Sequence, residues 1–311
     1  MAPRIGSVVP VTLVYRGRVG HGVGMLCRLT KWPSARLTAR LFAWVAGGLL
    51  AGSAPASQTG RSAPPRRIVS LNLCADQYLL ALADRTQIAG LTRNANNAAM
   101  SAAAAQTRGL PILRGSAEEV LAIDPDLVIG APARRTGMMA ALSGAHYHTL
   151  DLKPAGSYAG IVTQIRAVAK AVGHVDRGEA LIARMDRDLA AIARPRPAGI
   201  AAYYQRRGFL TGTGTLIDDL MTRAGLVNLA GKLGKPVLSQ LTLEELMVAQ
   251  PDYLLIESGS ERVVDQGTEM LRHPLLKDIK RLRLPQAWTV CGGPAYVDAA
   301  RSLVNQIDHR P

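Results

Sequence analysis

The chain carries one segment twice, and this repeat limits the folds that it can adopt. Residues 116–129 read SAEEVLAIDPDLVI, and residues 242–255 read TLEELMVAQPDYLL. The two copies align without a gap, so that Glu118 matches Glu244 and Pro125 matches Pro251. Stacked solenoid repeats recur about every 20–50 residues, and these copies lie much further apart. The repeat therefore predicts two similar lobes with a cleft between them, where a ligand would bind.

Each copy has the local pattern of a helix followed by a turn and a strand. A hydroxyl residue opens each copy and a Glu follows three positions later, as in a capping box, in the pairs Ser116–Glu119 and Thr242–Glu245. A Pro then ends each helix, and a short apolar strand follows it. The sequence thus predicts the same helix–turn–strand unit in both lobes.

The capping boxes leave one acidic residue unexplained in each copy. Glu118 and Glu244 occupy the second helical position, where we expect them to face outward without a capping role. Negative charge near a helix N-terminus is favourable, which alone explains a Glu at this position. The recurrence of the same Glu in both copies equally supports a shared function for the pair.

The first 56 residues have the pattern of an export signal. They contain seven Arg or Lys and no Asp or Glu, and residues 41–51 (LFAWVAGGLLA) form an apolar stretch. This stretch is about half of the ~20 residues that a spanning helix needs, and the small-residue pattern at 54–56 (APA) fits a cleavage site. We therefore expect an exported protein cleaved near Ala56, with Met25 as a possible true start.

The remaining composition narrows the function further. Residues 57–311 hold 30 basic and 23 acidic side chains without a block of like charges, so nucleic-acid binding is not supported. Cys27 leaves with the signal, and Cys74 and Cys291 remain. In an oxidising compartment these two cysteines either pair as a disulfide or persist as two separate residues in turns.

Strand and helix patterns divide the chain into segments. Residues 57–66 read as a flexible lead-in, residues 67–156 as an N-terminal α/β lobe, residues 157–194 as a helical bridge and residues 195–311 as a C-terminal α/β lobe. The second bridge helix is expected over residues 176–194, before the prolines at 195 and 197. A last strand is expected around residues 288–290 and a closing helix over residues 295–307.

The candidate ligand residues lie in the loops that follow the predicted strands. In open α/β lobes, ligands meet the loops at the carboxyl ends of the strands. These loops contain Asn72, Cys74, Arg93, Arg134, Arg135, Tyr204, Arg206, Arg207, Arg262 and Tyr296. Arg binds carboxylates through two parallel hydrogen bonds, so the set predicts an anionic guest.

Together these features carry a family resemblance that spans residues 67–307. The first strand and turn (RIVSLNLCADQ, residues 67–77), both Glu motifs, the helical bridge and residues 288–294 (WTVCGGP) resemble a periplasmic substrate-binding protein of the iron-siderophore and cobalamin ABC-importer class. The resemblance implies an α/β fold with two doubly wound, Rossmann-like lobes joined by a long inter-lobe helix. It also implies a monomer in which Glu118 and Glu244 dock onto Arg residues of the permease, which couples it indirectly to the ATPase.

The resemblance implies a guest but no resident cofactor and no enzymatic activity. Members of the class hold a ferric chelate or a corrinoid between the lobes. Trp288 is the one Trp left after export, and Arg and Tyr dominate the loops, which favours an anionic ferric complex over a corrinoid. We do not predict a metal site at His146 and His148. The alternatives are an exported α/β enzyme with an interlobe active site, against which the missing nucleophile motif argues, and a ligand-sensing module.

Overall fold

Two parallel β-sheets organise the part of the chain that the computed structural model describes, which is residues 63–130, 147–193, 197–260 and 265–308. These residues belong to one unit, Thr59–Pro311. The predicted signal segment lies outside them. None of the described helices combines the length and the apolar character that crossing a membrane requires.

The first sheet has five parallel strands in the order β3-β2-β1-β4-β5. Its strands are β1 (Ile68–Ser70), β2 (Ile88–Thr92), β3 (Ile112–Leu113), β4 (Leu127–Gly130) and β5 (His148–Asp151). The second sheet has four parallel strands in the order β11-β10-β6-β8, and β7 pairs antiparallel with β9 beside it. These strands are β6 (Gly199–Tyr203), β7 (Phe209–Thr211), β8 (Leu226–Asn228), β9 (Leu238–Gln240), β10 (Tyr253–Glu257) and β11 (Lys280–Leu284).

The two sheets share one topology. In the first, β1 lies between β2 and β4 with β5 outside, and in the second, β6 lies between β8 and β10 with β11 outside. The strand that ends each copy of the repeat, β4 or β10, pairs with the first strand of its own lobe. The expected α/β fold with two doubly wound lobes is confirmed.

Nine helices of the described residues surround the sheets. They are α1 (Leu73–Leu82), α2 (Ala117–Ile123), α3 (Tyr158–Val172), α4 (Val175–Ala190), α5 (Leu216–Arg223), α6 (Leu229–Lys232), α7 (Leu243–Ala249), α8 (Gln286–Thr289) and α9 (Tyr296–Asp308). The Ser157 side chain caps α3 by accepting from the backbone N–H of Gly160, and Gly173 ends α3 in the left-handed conformation at φ +85°. The linking helix α4 ends at Ala190, earlier than the predicted residue 194, which lies outside the described residues.

The hydrophobic core runs through both lobes. One continuous cluster joins Ile68 and Leu79 of the first lobe, Leu181 and Met185 of α4, and residues of α5 and α9 such as Leu220 and Leu303. A second cluster covers the other face of the second sheet and includes Tyr204, Leu246 and Leu254. The linking helix is therefore packed into shared core, which resists large movements of one lobe relative to the other.

The expectation of a last strand at residues 288–290 is wrong. Residues Gln286–Thr289 form α8, a single helical turn that begins directly after Pro285. The last strand is β11, whose sequence KRLRL places Leu282 and Leu284 in the core and Lys280 and Arg283 in solvent. Because three of its five residues are basic, this edge strand lacks the apolar run that marked the other strands.

Candidate functional site

A cavity of about 570 Å³ lies where the two lobes meet. The first lobe lines it with residues 72–74, which follow β1, and with residues 152–156, which follow β5. The second lobe contributes residues 214–216 and 289–292. In the first lobe these loops lie at the carboxyl ends of strands of the sheet, where open α/β folds bind their ligands, whereas in the second lobe the lining residues follow β7 and α8. Its wall is mainly apolar, with Lys153 and Gln164 among the polar residues.

A disulfide in the wall of this cavity joins the two lobes. Cys74 of the first lobe and Cys291 of the second form a disulfide with an S–S distance of 2.12 Å, so the structure shows the pairing that the sequence left open. Next to the disulfide, the Tyr78 hydroxyl donates a hydrogen bond of 2.5 Å to the Gly292 carbonyl. A covalent bond and a hydrogen bond therefore join the lobes at the same place.

The lobes also approach closely along one side of the cavity. A Cβ atom added to Gly156 would lie 2.7 Å from the backbone carbonyl oxygen of Gly214. Only glycine fits this approach without displacing one lobe from the other. The width of the cavity at this point is therefore set by backbone contact.

Tyr296 was expected to contact the ligand, and the structure corrects this. Its side chain is fully buried between the lobes, where its hydroxyl donates to Asp219 and accepts a 3.0 Å hydrogen bond from Arg223. The Tyr158 ring lies 5.4 Å from the Tyr296 ring, and the Arg223 guanidinium lies over both rings. Burial and the hydrogen bond to Asp219 raise the pKa of Tyr296. The residue stabilises the lobe junction.

Tyr204 was also expected to contact the ligand, and it too is a core residue. Its side chain is fully buried, and its hydroxyl donates a 2.9 Å hydrogen bond to the Leu241 carbonyl. Burial, aided by the carboxylates of Glu244 and Glu245, raises the pKa of Tyr204 to about 12. An aromatic residue near a strand end suggested a ligand contact, but the Tyr204 ring packs in the second hydrophobic cluster.

The predicted arginines of the described residues are divided between two places. Arg93 is exposed at the carboxyl end of β2 and lines an open cavity of about 550 Å³ together with Asn72, whose Oδ1 caps α1. Arg206 is ion-paired with Asp265 in the second lobe. Arg207 is exposed and adopts a left-handed backbone conformation at φ +57°. The remaining three, Arg134, Arg135 and Arg262, lie outside the described residues, as does His146.

Asp76 is a buried carboxylate that the sequence reasoning missed. It is fully buried in α1 and accepts hydrogen bonds from the backbone N–H of Thr92 at 3.0 Å and from its hydroxyl at 2.5 Å. Burial raises the pKa of Asp76. The contact fixes the end of β2 next to Arg93. The sequence did contain a signal for this buried acid, because Asp76 is the one acidic residue of the mainly apolar helix α1.

Glu118 and Glu244 stand on the first turns of α2 and α7, and both are exposed. Both capping boxes are present, as predicted. Hydrogen bonds from its own backbone N–H and from the Ser116 hydroxyl lower the pKa of the Glu118 carboxyl. Glu244 lies near the hydroxyl of Tyr204, just past the carboxyl end of β6.

The chain belongs to the periplasmic binding protein family, whose sequence pattern matches residues 68–283. This confirms the class that the motifs resembled. A cobalamin-binding protein of Halobacterium salinarum is 25% identical over 205 residues, which are 64% of this chain and 56% of that protein. The chain thus spans a little over half the length of the curated relatives it matches.

Solved structures agree with this assignment. The periplasmic heme-binding protein RhuT of Roseiflexus sp. RS-1 is 26% identical, with a TM-score of 0.59 over 78% of this chain and 99% of that chain. A periplasmic binding protein of Veillonella parvula superposes with a TM-score of 0.65 over 78% of this chain and 91% of that chain. At 18% identity, the second likeness concerns the fold alone.

Proposed function

We propose that this protein is the solute-binding component of an ABC importer and that it captures a metal–tetrapyrrole complex, either heme or a corrinoid, in the cavity between its lobes. The observation that carries the proposal is the cavity itself, which both lobes line with mainly apolar residues. Pockets for organic ligands are typically apolar with a few polar groups that orient the guest.

The residues that line the cavity favour a tetrapyrrole over the anionic ferric complex that the sequence suggested. Of the residues behind that expectation, Tyr204 and Tyr296 are buried and Arg206 is paired with Asp265. The cavity wall instead includes Leu152, Pro154, Leu216 and Val290. Such a wall suits the broad apolar face of a tetrapyrrole, while Lys153 suits a peripheral carboxylate or amide. Relatives named for cobalamin and for heme binding support this class of guest.

Binding of the two probes hemin and cyanocobalamin tests the proposal directly. We expect one of them to bind wild type, and Val290→Asp to weaken that binding about tenfold or more, because a carboxylate in the wall must be desolvated by the guest. Val175→Asp is the matched control, since Val175 is 43% exposed and Val290 is 38% exposed, and Val175 lies on the first turn of α4 outside the cavity. Binding of a ferric catecholate in place of both probes would contradict the tetrapyrrole assignment.

The protein captures its guest without chemistry and delivers it from the periplasm, after cleavage of the signal near Ala56, to a membrane permease. Glu118 and Glu244 are the docking residues of the proposal. Each is an exposed carboxylate at the same position of the same repeated unit, one on each lobe. Two matched acidic positions suit a partner that presents basic residues at two places. Because the protein catalyses no reaction on its guest, the guest recovered after binding should have the same mass as before binding.

The docking role predicts that binding and uptake separate. In Glu118→Gln with Glu244→Gln, we expect unchanged affinity for the tetrapyrrole probe and loss of its uptake by cells that carry the importer, because the exposed carboxylates lie outside the cavity. A double variant of two other exposed acids, Asp176→Asn with Glu269→Gln, serves as the charge-matched control and should take up the probe normally. Normal uptake by the Glu118 and Glu244 variant would refute the docking role.

A further inference from the structure

The disulfide between the lobes is part of the cavity wall. Both Cys74 and Cys291 line the cavity, so a guest that fills it covers the disulfide. The two cysteines differ in access, because Cys74 is partly exposed whereas Cys291 is 5% exposed. A reagent that reaches the disulfide through the cavity therefore meets Cys74 first.

The disulfide also positions one side of the cavity. Residues 289–292 connect α8 to the segment before α9 and line the cavity from the second lobe. At this point they are attached to the first lobe through Cys291 and through the hydrogen bond from Tyr78 to Gly292. Breaking the disulfide leaves the hydrogen bond as the neighbouring attachment, so the segment gains freedom that a bound guest must remove.

We propose that the Cys74–Cys291 disulfide is a redox-sensitive element of the ligand cavity, in which reduction and ligand binding oppose each other. The inference rests on the proposed function, because it requires a guest in this cavity. Thermodynamic linkage makes the effect reciprocal: the factor by which reduction weakens the guest's binding equals the factor by which the bound guest shifts the reduction equilibrium toward the disulfide.

The reductant is a dithiol, and the exchange is balanced in two steps. A thiolate of the dithiol attacks Sγ of Cys74, forms a mixed disulfide and releases Cys291 as a thiolate, which takes up a proton. The second thiol of the dithiol then attacks the mixed disulfide and releases Cys74, so that two electrons pass to the protein and the dithiol becomes a disulfide. The released Cys74 thiolate lies in the first turn of the ten-residue helix α1, where the helix N-terminus stabilises negative charge.

Affinity measurements on a variant without the disulfide test the first half of the linkage, namely whether loss of the disulfide weakens binding of the guest. The comparison is oxidised wild type against Cys74→Ser with Cys291→Ser, titrated with cyanocobalamin and with zinc protoporphyrin IX, a tetrapyrrole that thiols do not reduce. We expect the double variant to bind the probe more weakly, by a factor within the ~5- to 150-fold range of typical couplings. Tyr78→Phe is the control, because it removes the neighbouring hydrogen bond but keeps the disulfide.

A dithiothreitol titration of wild type tests the second half without any variant, and so it stands even if the double variant does not fold. The midpoint of reduction should move to a higher ratio of reduced to oxidised dithiothreitol when the probe is saturating, by the same factor as the affinity. Equal midpoints with and without a bound probe would overturn the inference and leave the proposed function intact. Failure of both hemin and cyanocobalamin to bind oxidised wild type would overturn the proposed function and this inference with it.

Discussion

The two copies of the repeated unit share a framework but are anchored differently. Both helices start with a capping box and end at a non-glycine residue in the left-handed conformation, Asp124 in the first lobe and Gln250 in the second. In the first copy, the Glu119 carboxylate accepts from three successive backbone N–H groups, of residues 114–116. In the second copy, Glu245 accepts from one backbone N–H and pairs with Lys235 at 3.0 Å. The capping box and the helix end are repeated, whereas the groups that bond to the capping Glu differ between the lobes.

The Pro-Asp pairs show the same contrast at the start of each sheet. Asp126 accepts hydrogen bonds from the backbone N–H groups of Arg66 and Arg67, at 2.7 and 2.9 Å. Asp252 accepts one such bond, from Ile200 at 2.7 Å. Each Asp therefore ties its strand, β4 or β10, to the start of the neighbouring first strand, β1 or β6. This contact explains the repeated Asp without any function in ligand binding.

Gly199→Ala should have the largest effect among the variants that probe this contrast. Gly199 adopts φ +127°, and an added Cβ would lie 2.4 Å from Oδ2 of Asp252. We expect a loss of about 3 kcal/mol in the free energy of unfolding, since a side chain is both strained and in collision there. The equivalent position in the first lobe is the exposed Arg66, where Arg66→Ala should change stability little. Urea unfolding of the two variants measures the difference, and similar losses would show that the lobes are anchored alike.

Removing the two anchoring carboxylates should give the next largest effect. Asp126→Ala leaves two backbone N–H groups without this acceptor, and Asp252→Ala leaves one. We expect losses of about 2 and about 1 kcal/mol, respectively, in the free energy of unfolding. Solvent replaces part of each lost bond because both sites are exposed. A larger loss for Asp252→Ala in denaturant titrations would reverse the order that the hydrogen bonds predict.

The same contrast explains which features the sequence could predict. Capping boxes and the Pro stops depend on residues within a few positions, so the sequence located the repeated units accurately. Doubling of the motif also predicted two lobes. The strand β11 was missed because its stability comes from pairing with β10 rather than from its own basic sequence.

Site residues were harder to predict because exposure depends on distant parts of the chain. Nothing near Tyr204 in the sequence indicates that Leu241 accepts its hydroxyl, and nothing near Tyr296 indicates Asp219 and Arg223. The cavity wall around residues 152–156 was not predicted at all, since small and apolar residues carry no distinctive pattern. The sequence therefore identified the edge of the sheets that faces the cavity better than the side chains that line the cavity.

The buried carboxylate Asp76 gives the stability of the first lobe a pH dependence. Because burial raises its pKa in the folded state above the ordinary 3.8, the folded protein holds this proton more tightly than the unfolded chain does. Its contribution to stability therefore falls as the pH rises from about 4 through the raised pKa. We expect wild type to lose thermal stability relative to Asp76→Asn between pH 4 and pH 7.

Asp84 provides a control of opposite sign for this pH experiment. The hydrogen bond from Arg177 lowers the pKa of Asp84 below 3.8, so its contribution is present above that pH and is lost as the pH falls through the lowered pKa. Wild type should therefore gain stability relative to Asp84→Asn as the pH rises toward about 4, and should lose stability relative to Asp76→Asn only above that pH. Parallel melting profiles of both pairs would contradict the assigned shift of Asp76.

The helix ends offer the smallest and most finely matched test of the two copies. Gln250→Gly relieves a left-handed conformation at φ 45°, and we expect a gain of about 0.5–1 kcal/mol in the free energy of unfolding. Asp124→Gly relieves the same conformation but also removes the exposed ion pair between Asp124 and Arg67, with an N–O distance of 3.0 Å. Exposed ion pairs contribute a few tenths of a kcal/mol, so this variant should gain less than Gln250→Gly. Equal gains in denaturant titrations would mean that the ion pair contributes nothing and that the two helix ends are equivalent in energy as well as in geometry.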